Sequence, residues 1–361
     1  MRTGITELPL HHGSCPAWLF AKMKPLAKSI TEVIVDEFGQ KEFLKRISNP
    51  YFFQALGCVL GFDWHSSGLT TTTCGALKEA LNSTQQGLFV CGGKGTVARK
   101  TPEEITQICD ANDISSKCEN LIKASKLSAK VDNSLIQDGY NLYHHVIIFT
   151  EKGDWAIIQQ GMSESGWARR YHWLSDSVAS FVEEPHTAIC AQKTECEVLD
   201  MTAKVAREAR KLSVDLVNDR DVLKLVNGQT KLTNFKVLHM PTSHFIRDML
   251  KLNVKTLEKA AEIRPSNYEE LIMVPGFGPK HVRALALTAN LIYGSELSWK
   301  DPANYAFAHG GKDGIPFPVR EDLYDNTIRV LDEAIKQAKI GQKEKIRALA
   351  RLAKSWNGLQ S

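Results

Sequence analysis

Between residues 17 and 47 the apolar positions recur every three to four residues: Leu19, Met23, Leu26, Ile30 and Ile34, then Phe43 and Ile47 beyond Gly39. That spacing predicts helix, broken at the glycine. A further helix is expected near CGALKEAL (74–81), and GLFVCGG (87–93) reads as a buried strand running into a glycine turn. TPEEITQICD (101–110) should open another helix, with Thr101 as N-cap, Pro102 in the first position and Glu104 in the third. A Lys- and Ser-rich stretch near 123–134 is assigned no element. YHHVIIF (143–149) and WAIIQQGM (155–162) flank TEKGD, which predicts a β-hairpin with Gly153 in its turn. PHTAICAQ (185–192) is a further candidate strand, and from about Asp200 the pattern becomes almost wholly helical.

A chain of 361 residues exceeds one ordinary core, so two domains are expected. The boundary is placed at 200: a mixed α/β (α+β) putative catalytic domain over 1–200 and an all-α domain over 201–361. Net charge sharpens the division, because residues 1–200 hold 19 Lys and Arg against 23 Asp and Glu, while 201–361 hold 26 against 18. The basic excess lies in the C-terminal part, where a polyanion partner is expected. No stretch reaches the roughly 20 apolar residues of a membrane helix, and the first residues lack a signal-peptide apolar region, so the expected location is the cytoplasm, with the nucleoid. Eight cysteines without a Cys-x-x-Cys pair indicate neither a zinc ribbon nor a disulfide framework.

LIMVPGFGPKHVRALAL (271–287) resembles the helix-hairpin-helix motif of DNA-repair and DNA-processing proteins, placed here over 268–290. An apolar helix end leads through Pro275 into the Gly276-Phe277-Gly278 hairpin, and Pro279 and Lys280 open the second helix. Glycines let the backbone turn sharply and approach a phosphate, while the positive end of the second helix faces the anion. Lys280 and Arg283 add charge. Such contacts position DNA through its backbone phosphates without reading bases. The basic helix near 336–354 is either a second DNA contact or a solvated face.

In the first 200 residues, Asp63 and His65 stand two apart, a spacing that lets them share a divalent metal, Mg²⁺ or Mn²⁺, or lets the carboxylate orient the imidazole. CGGKGTVARKTP (91–102) supplies Gly92, Gly93, Lys94, Gly95 and Arg99 after a strand, an anion-binding nest with a basic lid, but lacks the Walker A spacing, so no nucleotide cofactor is indicated. With a two- or four-residue hairpin loop, His145 falls opposite Gln160 and Tyr143 opposite Met162. His145 and Gln160 then share one face, His144 and Gln159 the other. Arg169, Arg170 and His172 follow the second strand and are expected to converge on the same end, the arginines holding transition-state charge and a histidine moving the proton. Asp132 and Asp138 precede the hairpin, and either is a candidate ligand for a divalent metal, Asp138 also a candidate orienting carboxylate.

FDWHSSG, CGGKG, LYHH, WAIIQQGM, ARRYHW, EEPH and AHGGKDG together resemble a domain-of-unknown-function family found mainly in archaea and some thermophilic bacteria. The resemblance implies no activity, but it favours reading these segments as one set. The expected function is a DNA-binding enzyme of repair or processing, most simply a metal-assisted phosphodiester hydrolase. The alternatives are a glycosylase or lyase of the helix-hairpin-helix type and a DNA-binding protein without catalysis. The glycosylase pattern wants an aspartate about 20 residues past the motif lysine, whereas Asp322 and Asp325 lie more than 40 beyond Lys280.

Overall fold

Strand alternation organises the molecule, because every second side chain of a central sheet enters a different core. The computed structural model describes residues 15–62, 68–82, 86–191, 194–220, 253–306 and 321–360. Four helices come first: α1 (Ala17–Phe38), α2 (Gln40–Ile47), α3 (Pro50–Leu60) and α4 (Gly68–Leu81). Gly39, at φ +85°, makes the expected break between the first two. Asn49 caps α3 by accepting from the Tyr51 and Phe52 amides, with Pro50 just inside the helix. α4 begins earlier than the sequence pattern suggests, so Thr70–Thr73 lie within it.

β1 (Leu88–Lys94) leads through α5 (Thr96–Arg99) to α6 (Thr101–Ala111) and α7 (Ser115–Ser134). Thr101 is not the N-cap of α6. Its hydroxyl bonds back to the Ala98 carbonyl at 2.7 Å, because the short α5 immediately precedes it, and Lys100 takes the cap position. The unassigned Lys/Ser stretch is part of α7, which buries Leu121, Ala124, Ser125, Leu127, Ser128, Val131 and Asp132 along one face. The spacing is helical, but polar residues in the buried stripe conceal it.

The remaining strands are β2 (Ile136–Gln137), β3 (Asn141–Thr150), β4 (Trp155–Met162), β5 (Ala168–Leu174), β6 (Ala188–Ala191), β7 (Leu199–Asp200) and β8 (Tyr305–Ala306). The main sheet has the order β1-β3-β4-β5-β6-β8, antiparallel except where the short β8 joins β6 in parallel; β2 and β7 pair separately. The chain continues with α8 (Arg207–Asn218), α9 (Val254–Ile263), α10 (Tyr268–Met273), α11 (Pro279–Tyr293), α12 (Glu321–Gln337) and α13 (Gln342–Gln360).

One sheet face, with Cys91, Ile147, Phe149, Ile157, Tyr171 and Trp173, shares a core with α6–α11. The other, with Val90, Val146, Ile148 and Ile158, shares a core with α1–α4 and α12–α13. Helices from both sides of position 200 therefore contribute to each core, and the fold as a whole is mixed α/β. No helix among the described residues is long and apolar enough to cross a membrane.

The β3–β4 hairpin differs from the expected register by one residue. Thr150 N–H donates to the Asp154 carbonyl and Gly153 N–H to the Thr150 carbonyl, closing a three-residue loop with Gly153 at φ +90°. An odd loop pairs His145 with Gln159 and His144 with Gln160, and a bulge at Tyr143 then places Asn141 opposite Met162.

Candidate active site at a cleft beside the hairpin

On the α6–α11 face, a line of buried polar groups runs inward from a cleft. Ser125 Oγ of α7 lies 2.8 Å from His145 Nε2, and His145 Nδ1 lies 2.9 Å from Gln159 Oε1. Gln159 Nε2 meets Asp132 Oδ2 at 2.5 Å, where the Trp173 indole N–H also donates at 3.0 Å. The second Asp132 oxygen lies 2.5 Å from His186 Nε2. An indole N–H can only donate, so Asp132 Oδ2 accepts and the Gln159 amide nitrogen faces it. The Gln159 carbonyl must then accept from His145 Nδ1–H, which leaves Nε2 as the acceptor of the Ser125 hydroxyl proton. Burial pushes the His145 imidazole down to about 4, against the Gln159 hydrogen bond, so near neutral pH it is an uncharged base. Burial likewise raises the Asp132 carboxyl, with His186 and Trp173 pulling it back.

The cleft has a volume of about 880 Å³ and is walled by α7, the residues after β1, the start of β3 and the turn between α10 and α11. Ser125 and His145 line it together with Val274, Pro275, Gly278 and Pro279, and Arg99, Lys126 and Lys130 bring positive charge. In the hairpin, Gly276 holds φ +86°, while Phe277 is buried and stacks on His281 at 5.2 Å. Pro275, Gly276 and Lys280 are exposed. Three contacts tie this tip to the cleft wall: Lys130 donates to the Phe277 carbonyl, Gln137 to the Pro279 carbonyl and Arg283 to Gln137 Oε1. Arg283 therefore braces the motif as well as adding charge beside it.

The expected candidates separate because neighbouring strand residues face opposite ways. Arg169 points to the α6–α11 side, where its fully buried guanidinium binds Asp138 at 2.8 Å and grips both oxygens of Asp301 at 2.9 and 2.6 Å. Asp138 also accepts from the Tyr171 hydroxyl at 2.8 Å. Burial lifts its carboxyl above the usual range against the pull of Arg169. Arg170 and His172 lie on the other side. Arg170 Nε donates to His172 Nε2 at 2.8 Å and its Nη1 to Gln54 Oε1 at 2.9 Å, with the guanidinium 4.7 Å from the Phe53 ring. Gln160 on that face donates to the Tyr143 hydroxyl. His144 is buried there, and burial pushes its imidazole down to about 3. Lys94 is exposed, 5.8 Å over the Tyr143 ring. His145 thus shares no face with Arg170 or His172.

Asp63 and His65 lie outside the described residues, as does AHGGKDG. Among the described residues, no group of three or more His, Cys, Asp or Glu side chains is placed to hold a metal.

A family model described as "Protein of unknown function (DUF763)" matches residues 4–319. The chain belongs to that family. No curated protein and no solved structure matches it. The family region includes both the Ser125–His145 line and the hairpin, so the cleft is built wholly from family residues, and α12 and α13 follow it. Within that region the sequence pattern did not single out Ser125 or His186, nor Asp301, which stands 21 residues past Lys280, near the glycosylase spacing, but whose carboxylate is taken up by Arg169. A signal for the first was available: Ser125, Ser128 and Asp132 are spaced 3 and 4 apart, one helical face.

Proposed function

We propose that this chain binds DNA by its backbone phosphates at the cleft between the hairpin, α7 and the residues after β1, and acts there on a phosphodiester as an enzyme of DNA processing or repair. The observation that carries this reading is the shared wall: the hairpin backbone, Arg99, Lys126 and Lys130 line the same cleft as a neutral histidine aimed at a hydroxyl. A phosphate seated between Lys126 and the hairpin would lie beside that base. Of the segments after Asp200, the turn between α10 and α11 supplies its part of the docking surface, and a divalent metal, Mg²⁺ or Mn²⁺, is the cofactor to test.

Fluorescence anisotropy with single-stranded, duplex and flap DNA over a salt series measures the binding. Affinity should fall with salt at a log–log slope of about −0.9 for each neutralised duplex phosphate, and Gly276→Glu with Lys280→Glu should weaken binding and flatten the slope. Binding unchanged in that variant, or no cleavage of any of the three substrates with or without the metals, would remove the proposal. Lys130 favours one second reading, the lyase. Burial lowers its amine below the usual range and it lines the cleft, so borohydride trapping of a lesion-containing duplex should place the adduct on it if a Schiff base forms.

A further inference from the structure

A serine inside a helix ordinarily satisfies its hydroxyl on the carbonyl one turn back. Ser128 bonds to the Ser125 carbonyl, Ser213 to that of Ala209 and Thr288 to that of Ala284. Ser125 instead aims out of α7 at His145 on β3, although it is only 3% exposed and a back-bond would satisfy it locally. Four side chains in three successive steps then fix the imidazole behind it: Gln159 on Nδ1, Asp132 on Gln159, and Trp173 with His186 on Asp132. A hydroxyl, an imidazole that can take its proton and a polar group orienting that imidazole are the parts of an activated oxygen nucleophile. They meet at the wall of an open cleft with Lys126 and Lys130, one and five residues further along the same helix.

We propose that Ser125 is the nucleophile of this cleft, attacking the phosphorus of a DNA phosphodiester with His145 Nε2 as its base, while Gln159 and Asp132 position the imidazole. As the Oγ–P bond forms, the hydroxyl proton passes to Nε2 and the bond from phosphorus to one sugar oxygen breaks. The departing oxygen takes the proton back from the imidazolium. The products are a DNA end joined to Ser125 as a phosphodiester and a DNA end with a free hydroxyl. Reversal by that hydroxyl reseals the strand, and attack by water in its place releases a phosphorylated end. Neither course needs an oxidant or reductant, and Lys126 and Lys130 supply positive charge for the oxygens of the crowded phosphorus.

The substrate class rests on the DNA reading above, and the test separates the two. Full-length protein is treated with a small fluorophosphonate and, separately, with DNA carrying a bridging phosphorothiolate, whose departing thiol rejoins poorly. Adducts are located by peptide mass spectrometry on the wild-type chain, so the assignment depends on no variant folding. The expected result is phosphonylation of Ser125 by the first probe, with loss of fluoride, and DNA attached to Ser125 by the second. Adduct formation should be absent in Ser125→Ala and at least about 100-fold slower in His145→Ala, the scale of a lost general base. No adduct on Ser125 from either probe, in a protein that binds DNA by anisotropy, overturns the nucleophile and leaves the binding reading standing. A fluorophosphonate adduct on Ser125 in a protein that does not bind DNA supports the nucleophile and removes DNA as its substrate.

Discussion

Replacing Gln159 by leucine tests the orientation of His145 without touching the cleft surface. Gln159 is fully buried, accepts from His145 Nδ1 at 2.9 Å and donates to Asp132 at 2.5 Å. Leucine has nearly the same bulk, so little cavity forms and the cost is mainly polar. An imidazole N–H left unpaired in the core costs about 1–3 kcal/mol, and the lost donor to Asp132 about 1 kcal/mol more, since Trp173 and His186 still hold that carboxyl. A loss of about 3 kcal/mol should lower the melting temperature by roughly 4 °C in a chain of 361 residues. Differential scanning calorimetry measures it. Pairing the change with His145→Leu adds a diagnostic, because the double variant no longer strands the imidazole and should be less destabilised than the two single changes added together, by about 1–3 kcal/mol. A shift below 1 °C in Gln159→Leu, or simple additivity in the double variant, would refute the idea that Gln159 fixes the imidazole.

Burial holds His144 near 3, below its unfolded value of 6.5, so the unfolded chain binds the extra proton first and stability from this residue is lost as pH falls below about 6.5. His144→Phe should therefore gain about 2–3 kcal/mol relative to wild type between pH 7.5 and 4.5, read as the difference in urea midpoints at the two pH values. Arg169→Met leaves the Asp138 and Asp301 carboxylates buried without their cation and should cost about 3–5 kcal/mol in thermal unfolding, while DNA affinity of the folded protein at low temperature stays unchanged. Phe277→Ala opens the core beneath the hairpin and should cost about 3–5 kcal/mol, with DNA affinity falling as well because the tip loses its support.

The sequence made the apolar framework legible. The break at Gly39, the β1 strand and the hairpin with Gly153 follow from periodicity and turn chemistry, and each is present. What it obscured was buried polarity. α7 carries Ser125, Ser128 and Asp132 on its inner face, and β5 reads ARRYHWL, so neither resembles an apolar element although both are buried. The expected register is one residue off because it rests on a loop of two or four residues where the chain uses three, and that one residue exchanges the partners of His144 and His145. Arg169 and Arg170 looked like one basic pair, but a strand sends adjacent side chains to opposite faces, and each guanidinium is spent inside a different core. The Ser125–His145 contact spans 20 residues and depends on how α7 crosses β3, which no local pattern encodes.

The central claim is that DNA occupies the cleft shared by the hairpin and the Ser125–His145 line. Amide hydrogen exchange of the full chain, free and saturated with duplex DNA at low salt, tests it most directly. Protection should appear together in peptides covering 94–100, 123–134 and 273–281, the three segments that wall the cleft. Protection confined to the basic helix α13, with those three segments unchanged, would contradict the account.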